Sequence, residues 1–306
     1  MLVKIALASS SLYAVRALDV LERSTHEIVG FITMPDRPQG RSSRAKPNQF
    51  REWASRERGM IPCYAPDSAD QLLEALRQMQ ADLVVTLAYG RLVKEEALEK
   101  PKYGWLNIHF SMLPRWRGAA PVQRSLLAGE RESGVTIFKL DVGMDTGPIY
   151  RQRSYRYGED ECASEALDQM SLLGADELLR AIEMIEAGVE PTEQEGISNI
   201  AAKIAKDELR LILGLKTEEM MRQIRAFTSN PGVWFIYNGQ RMIISKVKSS
   251  SEAVPSRDLV EHNGSLFLGT EDGSIEILRI IPEGKREMSG SEFVRGRDLK
   301  EATRIE

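Results

Sequence analysis

Cysteine is nearly absent from this chain. Cys63 and Cys162 are the only two in 306 residues, which supports neither a disulfide framework nor a structural zinc site. Histidine is as scarce, and its three copies at positions 26, 109 and 262 are too scattered for a metal cluster to be expected. Long apolar runs are missing too. The opening MLVKIALASS is a short apolar run broken by Lys4 that leads into a helix-like stretch, whereas a secretory signal or membrane span needs a longer one. A cytoplasmic protein with no membrane partner is the expectation. No charge dominates either: the formal net charge is −4, and residues 203–306 carry 17 Lys and Arg against 16 Asp and Glu. A nucleic-acid partner would therefore have to be met by a local surface. The first loop, ASSSLYA, lacks the glycine-rich fingerprint of dinucleotide binding, so a βα pattern here need not mean NAD. Internal repeats and low-complexity stretches are absent as well.

What remains is ordinary globular composition, 42% hydrophobic and 28% charged, and a length suited to two domains with one sizeable core each. Up to about residue 150, short apolar runs alternate with amphipathic ones, the signature of βαβ units around a parallel sheet. Strands are predicted at 3–8, 27–33, 83–87, 105–110 and 134–139, with helices at 13–22, 48–57, 69–79, 120–128 and 163–187 and a paired-strand segment at 149–157. Past residue 188 the chain turns polar (GVEPTEQEGISN), then reads as a helix at 217–226 and strands at 233–237, 241–248, 264–268 and 274–281 spaced by NGQ, HNG and EDG turns. Regular short strands of that kind suggest a small barrel. The expected organisation is an α/β, Rossmann-like, mostly parallel sheet with helices on both faces over 1–188, a linker over 189–206 and a small β-barrel domain over 207–306.

The chemistry concentrates between Asn107 and Asp145. In WLNIHFS the residues Asn107 and His109 alternate, so on a strand both side chains leave the same face. Near its carboxyl end, where open α/β sheets bind ligands, they and a carboxylate from a later loop can converge on one carbonyl. When an amine attacks a carbonyl carbon, a preorganised amide stabilises the developing oxyanion by roughly 3–4 kcal/mol, and Asn107 fits that task. Histidine is the usual proton carrier near neutral pH, and a carboxylate such as Asp145 orients it and favours its charged form. Each residue also has a plainer reading. A lone histidine on a buried strand is commonly a satisfied core residue, and an Asp in DVGMDTG commonly serves the local backbone through an Asx turn.

The string N-I-H-x-S-x-L-P-x-x-x-G-A-A-P-x-Q, followed by G-V-T-I and D-x-G-x-D-T-G, resembles the folate-dependent formyltransferases. PDRPQGR at 35–41, AYG at 88–90, LPRWRGAAPVQRSL at 113–126, IRAF at 224–227 and EGKREMSG at 283–290 extend the likeness along nearly the whole chain, and PRWRGAAP with the carboxy-terminal segment favours the branch that acts on methionyl-tRNA. The resemblance implies transfer of a formyl group from 10-formyltetrahydrofolate to the α-amino group of methionine on initiator tRNA, without metal or covalent enzyme intermediate and with no obligate protein partner. It implies that Asn107 and His109 stabilise the oxyanion while Asp145 holds His109 charged and helps shuttle the amine proton. Folate contacts would come from Tyr89, Gly90, Ser111, Met112, Leu113, Pro114, Asp141 and Gly143, and the carboxy-terminal domain would be OB-like. The chain departs from the family at two places: Ser9 to Leu12 stand where it has a G-T-P-x-F-A type turn, and Met112 replaces the commoner Leu, a swap that conserves volume.

Over 36–58, seven cations (Arg37, Arg41, Arg44, Lys46, Arg51, Arg56, Arg58) face three acids, in a segment that opens as a Pro- and Gly-rich loop suited to touching phosphates. A solvated loop with surplus arginine is the alternative. The resemblance places this loop against the tRNA acceptor stem, through Arg37, Arg41, Arg44 and Lys46. Arg115 and Arg117 flank Trp116 beside the folate turn, an interleaving that can stack a base or form a capped surface loop. Within the superfamily, a glycinamide ribonucleotide formyltransferase would lack residues 205–306. A sugar-nucleotide N-formyltransferase or a 10-formyltetrahydrofolate hydrolase shares the trio, and the arginine-rich loop favours tRNA over either.

Overall fold

A computed structural model describes residues 2–38, 45–228, 232–295 and 303–305. They form two compact units, one built from Met1–Pro121, Glu132–Arg156 and Leu167–Ala201, the other from Val122–Arg131, Tyr157–Ala166 and Ala202–Glu306.

The first unit holds a seven-stranded sheet of β1 (Lys4–Ser9), β2 (Glu27–Ile32), β3 (Cys63–Tyr64), β4 (Leu83–Leu87), β5 (Trp105–His109), β6 (Glu132–Lys139) and β7 (Ile149–Arg156). Their order is β7-β6-β5-β4-β1-β2-β3. From β5 to β3 all neighbours are parallel, while β6 runs antiparallel to both β5 and β7. The chain spreads from β1 through β2 and β3 one way and through β4 and β5 the other. Strand order therefore reverses between β1 and β4, the kind of point where open sheets bind ligands. All five residues of β4, LVVTL, are buried, as a strand covered on both faces requires.

The helices start where the sequence supplies caps. Asn48 accepts the Arg51 amide at 3.0 Å before Gln49–Glu57, and Ser68 accepts the Gln71 amide at 3.2 Å before Ala69–Met79. Each such cap contributes about 1 kcal/mol. Leu72, Leu76 and Met79 recur on one face of the second helix and are buried with Val84 and Trp105 in one cluster, at roughly 2 kcal/mol per large side chain. The helix Ala163–Glu186 carries Glu177, whose side chain is 1% exposed. Arg151 and Arg153 of β7 meet it at 2.9 and 3.5 Å, and Arg180 at 2.8 Å.

The segment expected as a linker is not free over its first part. Thr192 bridges to Ile149, Ile200–Ala201 pairs with Arg117–Gly118, and the chain stays in the first unit as far as Ala201. Its polar residues resemble a solvated connection in sequence because they serve loop backbones rather than a core.

The second unit is an antiparallel sheet of β8 (Val233–Tyr237), β9 (Gln240–Ser250), β10 (Asp258–His262), β11 (Ser265–Gly269), β12 (Ser274–Pro282) and β13 (Thr303–Arg304) in the order β8-β9-β12-β11-β10-β13. Register shifts around Lys246 mark bulges in β9, which bend and twist a strand and curl the sheet into an OB-like half-barrel. Asn238-Gly239 and Asn263-Gly264 all have positive φ, the backbone of the tight hairpin turns that Asn-Gly favours. The helix Thr217–Ala226 packs on β9. Strands β3, β10 and β13 and the short helix Gly290–Arg295 were not expected from the sequence. No helix among the described residues is long and apolar enough to cross a membrane.

Candidate active site

Trp105, Leu106 and Ile108 anchor β5 in the core at 0–3% exposure, leaving Asn107 and His109 to emerge together. The Asn107 side chain is half-buried, and its amide makes no hydrogen bond among the described residues. It is a donor with nothing yet to donate to. His109 is buried and stands edge-on to Phe138, with ring centres 6.3 Å apart. Its Nε2 lies 2.9 Å from the Trp116 carbonyl oxygen and its Nδ1 3.6 Å from Asp145 Oδ2. Both neighbours are acceptors, so an imidazolium presents an N–H to each whereas a neutral ring presents one to only one of them. Asp145 comes from the loop after β6. It has a left-handed backbone, φ 54°, and its Oδ2 also accepts the Gly118 amide at 2.7 Å.

The expected folate turn is braced from behind. The Ser111 hydroxyl donates to the Arg115 carbonyl at 2.6 Å, and the Thr136 hydroxyl donates to the Ser111 carbonyl at 2.7 Å. The Leu113 amide donates to Thr136 Oγ1 at 3.2 Å, and the Gln152 amide donates to the Leu113 carbonyl at 2.8 Å. Leu113–Pro114 is a cis peptide. Ser111, Leu113 and Pro114 are buried, with Met112 half-buried against Gly134, so the first three contribute chiefly the shape of the turn. Tyr89 is buried against Trp105, at 6.4 Å between ring centres, and Gly90 is exposed. Burial pushes the Tyr89 phenol up, while Arg91 acts the other way. Asp141 accepts the Gly143 amide at 3.0 Å and the Thr146 hydroxyl at 2.7 Å. The Asx-turn role weighed for Asp145 thus falls to Asp141, which leaves the Asp145 carboxylate facing His109.

Sequence reasoning missed two residues beside the trio. Gln194 donates to the carbonyls of Asp145 and Gly147 and accepts from Arg117, and Asn199 accepts the Trp116 amide. Both sit in a polar, glycine- and proline-containing stretch that carries no periodic signal.

Of the basic residues, Arg37 and Lys46 are exposed and directly opposite one another on a two-stranded ribbon, Arg37–Pro38 with Ala45–Lys46. Arg41 and Arg44 lie outside the described residues. Arg51 pairs with Asp36 and Arg58 with Glu22. Arg115 is exposed, whereas the half-buried Arg117 is bound to Gln194 through Nε and Nη2. In the second unit Lys246 pairs with Glu165 and Lys248 with Glu276. The guanidinium groups of Arg210 and Arg241 lie 5.7 and 4.7 Å from the centre of the Trp234 ring, an arrangement with no local sequence signal because these residues are distant in the chain.

Residues 3–182 match the family described as Formyl transferase, and residues 203–298 match Formyl transferase, C-terminal domain. A methionyl-tRNA formyltransferase of Thermus thermophilus is 37% identical over 305 residues, 99% of this chain and 99% of that protein. One from Cutibacterium acnes is 36% identical over 293 residues, 92% of each chain. Two solved structures share the fold. The methionyl-tRNA formyltransferase from Clostridium thermocellum has a TM-score of 0.60 at 16% identity, over 83% of this chain and 97% of that one. HypX from Aquifex aeolicus in complex with tetrahydrofolic acid has a TM-score of 0.69 at 17% identity, over 95% of this chain and 46% of that one, so the chain spans about half the length of HypX.

Proposed function

The chain belongs to the methionyl-tRNA formyltransferase family, and from that premise we propose that it formylates the α-amino group of methionyl-initiator tRNA with 10-formyltetrahydrofolate as donor. The observation that carries the reading is the unengaged Asn107 amide on the same strand face as a buried His109 flanked by Asp145. Such a set stabilises charge on a carbonyl oxygen and moves a proton without a nucleophilic side chain.

The bound donor supplies the formyl carbon and a leaving nitrogen. Val142 and Met144, on the loop that carries Asp145, are 66% and 44% exposed, apolar surface of the kind a flat reduced-folate ring covers. The braced turn Ser111–Pro114 and the loop closed by Asp141 give that ring rigid walls. Asn107 donates to the formyl oxygen as negative charge develops there, a contribution of about 3–4 kcal/mol that exists only as the reaction proceeds. His109, held between the Trp116 carbonyl and Asp145, keeps its ring beside Asn107 on the same strand face and adds to the polar surroundings of that oxygen. Asp145 accepts the proton that the attacking amine must lose, directly or through one water, and that proton is returned to the leaving nitrogen as its bond to the formyl carbon breaks. Transfer to tRNA then rests on basic residues, with Arg37, Arg41, Arg44, Lys46 and Arg115 as the contacts. Within the second unit, the Arg210–Trp234–Arg241 group offers a stacking surface for a base.

The test is formyl transfer from 10-formyltetrahydrofolate to methionyl-initiator tRNA. It is run beside uncharged tRNA, an amino-sugar nucleotide and a reaction with no acceptor, with His109→Ala as the blank. Product on the aminoacyl-tRNA alone is the expected result. Formate release without acceptor, or a formylated sugar, would move the activity to a neighbouring branch of the superfamily.

A further inference from the structure

Residues 192–201 form a strap that holds both neighbours of the His109 ring. On one side, the Gln194 Nε2 donates to the Asp145 carbonyl at 2.9 Å and to the Gly147 carbonyl at 2.8 Å, while its Oε1 accepts from Arg117 Nε and Nη2 at 3.1 and 2.7 Å. Two N–H donors and two lone pairs are the whole capacity of a carboxamide, so every hydrogen-bonding position of Gln194 is used. On the other side, Asn199 Oδ1 accepts the Trp116 amide and the Asn199 carbonyl accepts the Arg117 amide at 3.0 Å. This fixes the peptide whose carbonyl faces His109 Nε2 at 2.9 Å.

The two residues so held are strained. Asp145 and Trp116 both lie in the left-handed region, at φ 54° and 60°, a conformation that costs a non-glycine residue about 1–2 kcal/mol and persists only where surrounding contacts impose it. The strap supplies those contacts. Between them the two strained residues place an acceptor at each nitrogen of His109. The strap also passes over the folate turn: a Cβ on Gly196 would lie 3.8 Å from Pro114 Cγ.

We propose that Gln194 and Asn199 are positioning residues for formyl transfer, acting on His109 by fixing the Asp145 loop and the Trp116 peptide. This rests on the function proposed above, because it takes His109 to be the group whose orientation matters. Catalytic partners displaced by about 1 Å cost about 100-fold in rate, so Gln194→Leu and Asn199→Ala are expected to lower kcat about 10- to 100-fold, with KM for methionyl-tRNA within about twofold of the parent.

The opposite behaviour of the two isosteric variants separates positioning from general structure. Gln194→Glu keeps the acceptor side but has no donor for the Asp145 and Gly147 carbonyls, so it should behave like Gln194→Leu. Asn199→Asp keeps the acceptor that Trp116 needs and should rescue most of what Asn199→Ala loses. The independent readout is the imidazole ¹H–¹⁵N spectrum of His109, assigned by its loss in His109→Asn. The expected result is that these ring signals move in Gln194→Leu, Gln194→Glu and Asn199→Ala and return toward the parent in Asn199→Asp.

Unchanged kcat in folded variants, or reduced kcat with parental His109 signals, would overturn the proposal. Should Gln194→Leu fail to fold, Gln194→Glu and the Asn199 pair decide the question. If the parent protein transfers no formyl group to methionyl-tRNA, the functional reading fails. The His109 spectra then judge the strap alone, with moved signals upholding its hold on the ring and unmoved ones refuting it.

Discussion

Asp145 Oδ2 accepts the Gly118 main-chain amide at 2.7 Å while standing 3.6 Å from His109 Nδ1, so one carboxylate oxygen serves both the backbone that fixes it and the ring it faces. An Asn at this position keeps an acceptor for Gly118 but loses the charge opposite the imidazole. We therefore expect Asp145→Asn to fold normally and to lower turnover by orders of magnitude, as His109→Ala should. Asn107→Ala, which deletes an amide with no structural partner, should lower kcat by about 100- to 1,000-fold with little effect on stability. Single-turnover formyl transfer beside circular dichroism checks all three, and near-parental turnover in any one would remove that residue from its role.

Gly118 explains why this corner of the chain tolerates no side chain. Its φ is 122°, and a Cβ there would approach the Ala201 carbonyl oxygen to 2.7 Å, so an alanine meets both backbone strain and the strap strand. Gly118→Ala should destabilise the first unit by about 1–3 kcal/mol and lower kcat more than it raises either KM. Urea unfolding and steady-state kinetics measured on the same preparation test this. A variant of parental stability and parental kcat would show that the close approach to Ala201 relaxes without consequence.

Legibility in the sequence followed periodicity and turn chemistry. LVVTL at β4, the alternation of Asn107 with His109, and the Asn-Gly pairs at 238–239 and 263–264 all announced their conformations, because apolar period and positive φ leave a local imprint. The two-residue β3 is too short to carry a period. The strand β10, DLVEH, mixes acids with apolar residues and takes its place from pairing with β11 and β13. The trio was readable because its spacing is local on β5 and its loop motif resembles a known family. Gln194 and Asn199 were not, since a polar side chain that satisfies distant carbonyls looks the same in sequence as one that faces water. Asp141 and Asp145, four residues apart in one turn-rich string, show the same limit: only the hydrogen bonds of Asp141 to Gly143 and Thr146 tell which carboxylate serves the turn.

Arg37 and Lys46 oppose each other on their ribbon, and neither has an ion pair among the described residues. Like charges at directly opposed positions weaken a strand pair by a few tenths of a kcal/mol, so the pair is better suited to a polyanion than to the fold. Arg37→Ala and Lys46→Ala should leave thermal stability unchanged or slightly higher, weaken tRNA binding, and reduce the slope of log affinity against log salt by about 1 each. Affinity for the folate donor should stay at the parental value. Identical tRNA affinities across 50–200 mM salt, roughly the range where phosphate contacts are read most clearly, would take the ribbon out of tRNA recognition.

The second unit carries its own pH dependence at Glu208. Arg124 reaches both carboxylate oxygens, with its Nη2 at 2.9 Å from Oε1, and the Ala205 amide donates to Oε1 at 2.7 Å. The Arg124 hydrogen bonds first, and the Ala205 amide after them, hold the Glu208 carboxyl below its ordinary value against a smaller opposing effect of burial. A carboxyl whose folded value is depressed binds protons more readily when unfolded, so its contribution is complete above the ordinary glutamate value of about 4.3 and is lost as pH falls through the lower folded value. At pH 7 the parent should be more stable than Glu208→Gln by about 1 kcal/mol. That gap should narrow as the pH is taken below about 4 and close once the carboxyl is protonated in both states. Urea midpoints of the two proteins across this range measure it. A gap that stays constant down to pH 3 would mean that packing, rather than the charge of Glu208, sets the difference.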